Sequence, residues 1–326
     1  MRADALIALA LASSQAPAAP PPVESPIEAP GPSGLLRGTM LRPAAPAAHV
    51  LIIPGSGPTD RDGNSPLGIS AAPYRKLAEA LATRGIATVR IDKRGTFGSA
   101  AAAADANAVT VADYVEDIHQ WVKAIRSRTG ARCVWLLGHS EGGLIALAAA
   151  QRPDGICGLV LVAAPGRKLG ELLREQLRAN PANGPLLGEA MAAIDSLEAG
   201  KRVDAGALHP ALQPLFAPQV QGFLISLFSY DPAELIGRAG RPVLIVQGQR
   251  DLQVAEADAR RLADAAPSAK LVLVPGVNHV LKAVESDDRA ANFATYGDPH
   301  LPIAAAVAGA IADFVLKAGD RRRARP

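Results

Sequence analysis

Hydrophobic positions in this chain cluster in short, near-continuous runs at 50–53, 87–91, 134–137, 159–162, 243–246 and 271–274, with an earlier and more mixed run at 36–41. An apolar run of four or five residues bounded by polar or turn residues is the signature of a strand covered on both faces. Longer stretches of mixed polarity separate the runs, and 73–84, 111–128, 142–151, 255–265 and 303–316 read as helices. Strands alternating with helices build βαβ units, and right-handed crossovers place helices on both faces of a largely parallel sheet. The alternation fails over 168–238, where helical stretches at 169–178, 186–199 and 220–228 occur without a strand. The pattern therefore predicts an α/β fold whose mostly parallel central sheet carries a helical cap at about 168–238, above the carboxyl ends of the strands.

The ends of the chain break the pattern. Residues 1–16 predict a targeting segment: a basic start at Met1-Arg2, an apolar run over 5–12, and small residues at Ser14-Gln15-Ala16, with Asp4 weakening the start. Export to a periplasmic or secreted location follows if it is used, and a cytoplasmic one otherwise. Prolines crowd 17–34, so that stretch is expected to be a disordered linker. The folded domain is expected over 35–319, and 320–326 reads as a solvated basic tail.

Composition narrows the function classes. The 326 residues, 49% hydrophobic, suffice for one large domain with an insertion. A net charge of +3 and 4% aromatics leave neither a basic field nor a stacking surface for nucleic acid. The apolar run over 5–12 is too short to span a bilayer, and every later apolar run is interrupted by charge, Gly or Pro, so no transmembrane segment is expected. Nothing in the sequence specifies an oligomeric state.

The candidate chemistry sits on the third of the near-continuous runs. Val134-Trp135-Leu136-Leu137-Gly138-His139-Ser140-Glu141-Gly142-Gly143-Leu144 reads as a strand, a sharp Gly-x-Ser-x-Gly turn and an Ala-rich helix. A Ser on such a bend needs small residues two positions away on either side, which Gly138 and Gly142 supply. A hydroxyl is a weak nucleophile at neutral pH without a base, and the base needs an orienting group. The run 243–246 leads into Asp251 and the run 271–274 leads into His279. All three residues thus fall just past the carboxyl ends of parallel strands, where open α/β sheets place their sites. Each has a blander reading: Asp251 as the cap of the helix near 255, His279 as a satisfied loop histidine. Among the other histidines, His49, His119 and His209 lie in poor positions for a base, His139 is expected to pack in the turn, and His300 is the one rival.

Taken together, these motifs resemble the α/β-hydrolases, in particular bacterial carboxylesterases and serine-aminopeptidase-like hydrolases with a Gly-His-Ser-x-Gly-Gly elbow. The resemblance runs from about 35 to about 317. It implies Ser140 as nucleophile, Asp251 as acid and His279 as base, with no cofactor and no metal. It also implies an oxyanion hole made by the backbone N–H groups of Glu141 and, from the loop over 54–64, Ser56. Relatives usually have His-Gly in that loop, where this chain has Pro54-Gly55. Asp60, Asp62 and Asn64 lack the spacing of a calcium loop and are expected, with Arg61, to pair with neighbours.

The activity implied is hydrolysis of a small-molecule carboxylic ester, with an apolar acyl or aryl group suggested by Phe216, Phe223, Leu224, Leu227, Phe228 and Tyr230, residues that could equally be cap packing. The alternatives are an aminopeptidase or thioesterase on the same three residues, for which Glu171, Glu175, Glu189 or Glu198 would have to hold an amine, and a catalytically weak ligand-binding protein. The resemblance also implies that Cys133 and Cys157 lie on neighbouring strands, where they could form a disulfide if the chain is exported. Bridges between adjacent parallel strands fit disulfide geometry poorly, so two buried free thiols are the favoured expectation.

Overall fold

The computed structural model describes residues 20–323, so the expected targeting segment at 1–16 lies outside the described residues. Among these, eight strands form one sheet: β1 Val23–Pro30, β2 Leu35–Arg42, β3 Ala48–Ile53, β4 Ile86–Ile91, β5 Val134–His139, β6 Ile156–Val162, β7 Val243–Gly248 and β8 Lys270–Val274. Their order is β1-β2-β4-β3-β5-β6-β7-β8. The pairs from β4 through β8 are parallel, and β1 and β2 run antiparallel to their neighbours. Every residue of β4, β5, β6 and β7 is buried, which is why these strands read as unbroken apolar runs.

The helices are α1 Pro73–Ala82, α2 Val111–Thr129, α3 Glu141–Ala149, α4 Leu169–Arg178, α5 Leu187–Glu198, α6 Pro218–Phe228, α7 Pro232–Gly237, α8 Glu256–Ala265, α9 Arg289–Ala294 and α10 Ala305–Arg323. Side chains alternate across each strand, so the sheet has two cores. On one face Leu136, Leu159 and Ile245 meet Trp121, Leu144, Ile236 and Leu262 from α2, α3, α7 and α8. On the other, Trp135, Val160 and Leu244 meet Leu77 and Leu81 of α1 and Val307, Ile311 and Val315 of α10. α10 continues to Arg323, so the backbone of the expected basic tail is helical up to that residue.

Two expectations are corrected. The stretch 17–34 is not simply a linker: Val23–Pro30 pairs along its whole length with β2 and buries Ile27 and Ala29 against the α2 side of the core. Pro26 and Pro30 are compatible with this because β1 is outermost in the sheet, where missing amide donors cost least. The cysteines are not free: Cys133 and Cys157 form a disulfide, with Cα atoms 5.1 Å apart. The register of β5 against β6 slips here, Val134 pairing with Ile156 but Trp135 with Gly158. Cys157 is therefore the extra residue of a bulge beside the start of β5, and the bulge relieves the poor geometry of a flat parallel pair.

Between β6 and β7 the chain forms α4, α5, α6 and α7. This insertion has its own core of Ala190, Ile194, Leu197, Phe216 and Phe228. It is fastened to the rest by the Val111 N–H donating to Ser226 Oγ at 3.1 Å, Gln176 Nε2 donating to the Gln253 carbonyl at 2.9 Å, and Arg167 gripping the buried carboxylate of Asp258.

Candidate active site

Ser140 links β5 to α3 with φ 54° and ψ −125°, a conformation a side chain adopts only under strain. The bend is held by the Ser140 N–H, which donates to the Val162 carbonyl at 2.9 Å. Its two glycines are required by contact. A Cβ on Gly142 would collide with the backbone oxygens of Ile53 and Pro54, and one on Gly138 with the Gly142 carbonyl.

Asp251 follows β7 and His279 follows β8, and the structure brings their side chains together: His279 Nδ1 donates to Asp251 Oδ2 at 2.8 Å. A carboxylate only accepts, so Nδ1 carries the proton and the Nε2 lone pair is left for another partner. Asp251 Oδ1 accepts from the amides of Gln253 at 2.8 Å and Val254 at 3.0 Å. Burial opposes the Asp251 charge, but His279 and these two amides outweigh it and hold the carboxyl below its ordinary range. The loop that carries His279 is fixed by Asn278, whose amide donates to Asn292 Oδ1 at 3.1 Å and Thr295 Oγ1 at 2.7 Å.

His139 brings the serine and histidine elements together. Its Nε2 lies 2.8 Å from the His279 carbonyl, its ring centroid 4.7 Å from that of His279, and its Nδ1 2.9 Å from the Tyr74 hydroxyl. Only an N–H can face a carbonyl, so Nε2 donates and Nδ1 accepts from Tyr74. Burial, with the neighbouring His279, lowers the His139 pKa to about 3, so the ring is neutral at ordinary pH. Beyond the packing expected of it, His139 thus ties two loops by hydrogen bonds. The rival His300 is exposed beside Asp298.

The loop after β3 runs beside the serine, where a Cβ on Gly55 would stand 3.2 Å from Ser140 Cβ. The Gly55 N–H donates to the Tyr74 hydroxyl at 3.0 Å, and its carbonyl accepts from Lys93 Nζ at 2.8 Å. The N–H groups of Ser56 and Glu141 have no acceptor among the described residues. Further along, Asp60 Oδ1 accepts from the Asp62 and Asn64 amides, both at 2.8 Å. Arg61 pairs with Asp92, and Asp62 with Arg90, so this cluster is satisfied by the chain itself.

Tyr74 and Lys93 were not singled out in the sequence. Tyr74 gives no local signal, because its role depends on a contact 65 residues away. Lys93 could have been found: Asp92-Lys93-Arg94 is a charged run directly after a fully buried strand, at the same edge as Ser140. Of the apolar residues between β6 and β7, Phe216 and Phe228 belong to the insertion's own core, whereas Phe223 packs edge-on against Tyr114 at 5.9 Å.

Comparison with known proteins agrees with this architecture. Residues 67–187 match the family described as serine aminopeptidase, S33. Esterase EstD of Thermotoga maritima is 29% identical over 247 residues, 74% of this chain and 57% of the relative, so the chain spans less than two thirds of that protein. Among solved structures, proline iminopeptidase of Mycobacterium smegmatis superimposes with a TM-score of 0.59 at 17% identity, over 91% of this chain and 100% of the other. Est1E from Butyrivibrio proteoclasticus does so with a TM-score of 0.56 at 17% identity, over 90% and 98%. Sheet order, the strained serine turn and these likenesses converge: the chain has the α/β-hydrolase fold.

Proposed function

We propose that this protein is a serine hydrolase that cleaves small carboxylic esters with apolar acyl or aryl groups through an acyl-enzyme. The observation that carries the reading is the His279–Asp251 hydrogen bond of 2.8 Å, made by a histidine whose backbone is tied to the residue before a strained serine. His279 Nε2 takes the Ser140 proton as the oxygen attacks the ester carbonyl. Asp251 holds the ring and stabilises its charged form. The oxyanion is received by the N–H groups of Glu141 and Ser56. The proton passes to the departing alkoxide, and water then clears the acyl group by the same steps. The helices over 168–238 act as a cap that shapes the acyl side.

Ester rather than aminopeptide cleavage is favoured because the glutamates that would have to hold a free amine are already engaged by the chain. Glu171 pairs with Arg261, Glu175 with Arg167 and Glu198 with Arg174, and Glu189 accepts the His209 amide. The Cys133–Cys157 disulfide supports an exported protein, since such bonds persist mainly in oxidising compartments.

The test is a series of p-nitrophenyl esters of rising chain length beside aminoacyl-anilides, on wild type and Ser140→Ala, with fluorophosphonate labelling. Esters are expected to turn over and anilides not. Ser140→Ala should lose on the order of 10⁶ in kcat, and labelling with it. Activity unchanged in Ser140→Ala would remove the assigned nucleophile, and a wild type that neither labels nor turns over would favour a binding protein.

A further inference from the structure

Both polar groups of Gly55 are engaged by side chains from elsewhere in the chain. Its N–H donates to Tyr74 and its carbonyl accepts from Lys93, at 3.0 and 2.8 Å. These side chains are only 3% and 5% exposed. Each also reaches a residue next to Ser140. Tyr74 donates to His139, the residue before it, and Lys93 pairs with Glu141, the residue after it, at 3.4 Å. Through His139 the first arm continues to the His279 carbonyl. A buried ion pair contributes little net stability against well-packed apolar residues, so folding alone does not account for Lys93 and Glu141.

The peptide between Gly55 and Ser56 is where this matters. In a trans peptide the carbonyl and the following N–H point in opposite directions. With the Gly55 carbonyl turned inward onto Lys93, the Ser56 N–H faces outward, on the exposed side of the loop. Gly55 supplies one of the two dihedrals about which that peptide turns and carries no Cβ, so the peptide could rotate at small steric cost. Such a rotation would carry the N–H away from the serine.

We propose that Lys93 and Tyr74 are positioning residues that clamp Gly55 and so lock the Ser56 N–H as an oxyanion donor in fixed relation to Ser140 and His279. The proposal rests on the acyl-transfer reading of Ser140. It assigns the two residues a task through the backbone, without contact with substrate.

The experiment uses the full chain with a p-nitrophenyl ester and a trifluoromethyl ketone, whose serine adduct places an oxyanion in the same hole. Lys93→Met and Tyr74→Phe are compared with wild type and Ser140→Ala. Each positioning variant is expected to lose about 10- to 100-fold in kcat, less than outright removal of a donor, with KM within about twofold. The ketone Ki should rise by the same factor as kcat/KM falls, a correlation that loss of stability alone would not produce. Where Lys93→Met fails to fold, Tyr74→Phe, which keeps the ring in place, decides. Wild-type kcat and Ki in both variants, with Ser140→Ala inactive, would overturn the clamp and leave the nucleophile standing. Full activity in Ser140→Ala would overturn both.

Discussion

At the scale of single residues, the site depends on proton placement more than on charge. Asp251 accepts the Nδ1 proton of His279 and thereby selects the tautomer whose Nε2 can act as a base. An asparagine at 251 would fit the same space but can present an N–H to Nδ1, which moves the proton to Nε2. Asp251→Asn should therefore cost about 10⁴ in kcat on an ester substrate while KM changes little. Steady-state kinetics with circular dichroism to confirm folding checks this, and a loss below tenfold would remove the orienting role. Asp251 also contributes to stability, because its folded pKa is depressed. That contribution is complete above the ordinary carboxylate value of about 3.9 and is lost as pH falls through the lower folded value, so it is present in full at neutral pH and does not vary there. His139, neutral down to about pH 3, keeps donating to the His279 carbonyl across the same range.

At the scale of elements, legibility followed burial. β4 to β7 are buried on both faces and so announced themselves as apolar runs; following β5, β7 and the partly buried β8 to their ends leads to Ser140, Asp251 and His279. β1 could not be read that way. Its alternation is carried by only Ile27 and Ala29, and prolines that usually signal a tether are tolerated at a sheet edge. Tyr74 and the bulge at Cys157 were hidden for a different reason: each is defined by register or contact between segments distant in sequence. The bulge has a measurable consequence. The disulfide closes a loop of sequence separation 24, worth about 3 kcal/mol by loop-closure entropy. It lies at the amino ends of β5 and β6, and the serine at the carboxyl end of β5. The Cys133→Ala/Cys157→Ala double variant should unfold at lower denaturant by about that amount yet keep wild-type kcat at 25 °C. Denaturant titration and ester kinetics together check it, and a parallel loss of kcat in the folded variant would mean that the bond shapes the site.

At the scale of the whole molecule, the His279 loop is held from beneath by a lysine. The Lys282 side chain is fully buried and its Nζ donates to the Leu301 carbonyl near the start of α10, while the Lys282 backbone N–H donates to Asn278 Oδ1 at 3.0 Å. It thus joins the loop after β8 to the last helix. Burial first, and the nearby Lys76 second, lower its pKa to about 8. The sign of the pH effect follows from linkage. Between the folded value of about 8 and the unfolded value of about 10.4, the unfolded chain binds more protons, so stability rises with pH through that window. Below it, the fold carries the full cost of a buried ammonium. Lys282→Met removes that cost and leaves the carbonyl of Leu301, an exposed residue, without its ammonium donor. The variant should be more stable than wild type at pH 7, by about 1–3 kcal/mol, and its advantage should shrink as pH passes from 8 towards 10. Thermal unfolding of both proteins at each pH measures the difference, with shared titrations such as those of buried tyrosines cancelling in the comparison. A stability difference that stays flat from pH 7 to 10 would show that Lys282 is solvated in the fold, and that packing rather than a buried charge joins the histidine loop to the final helix.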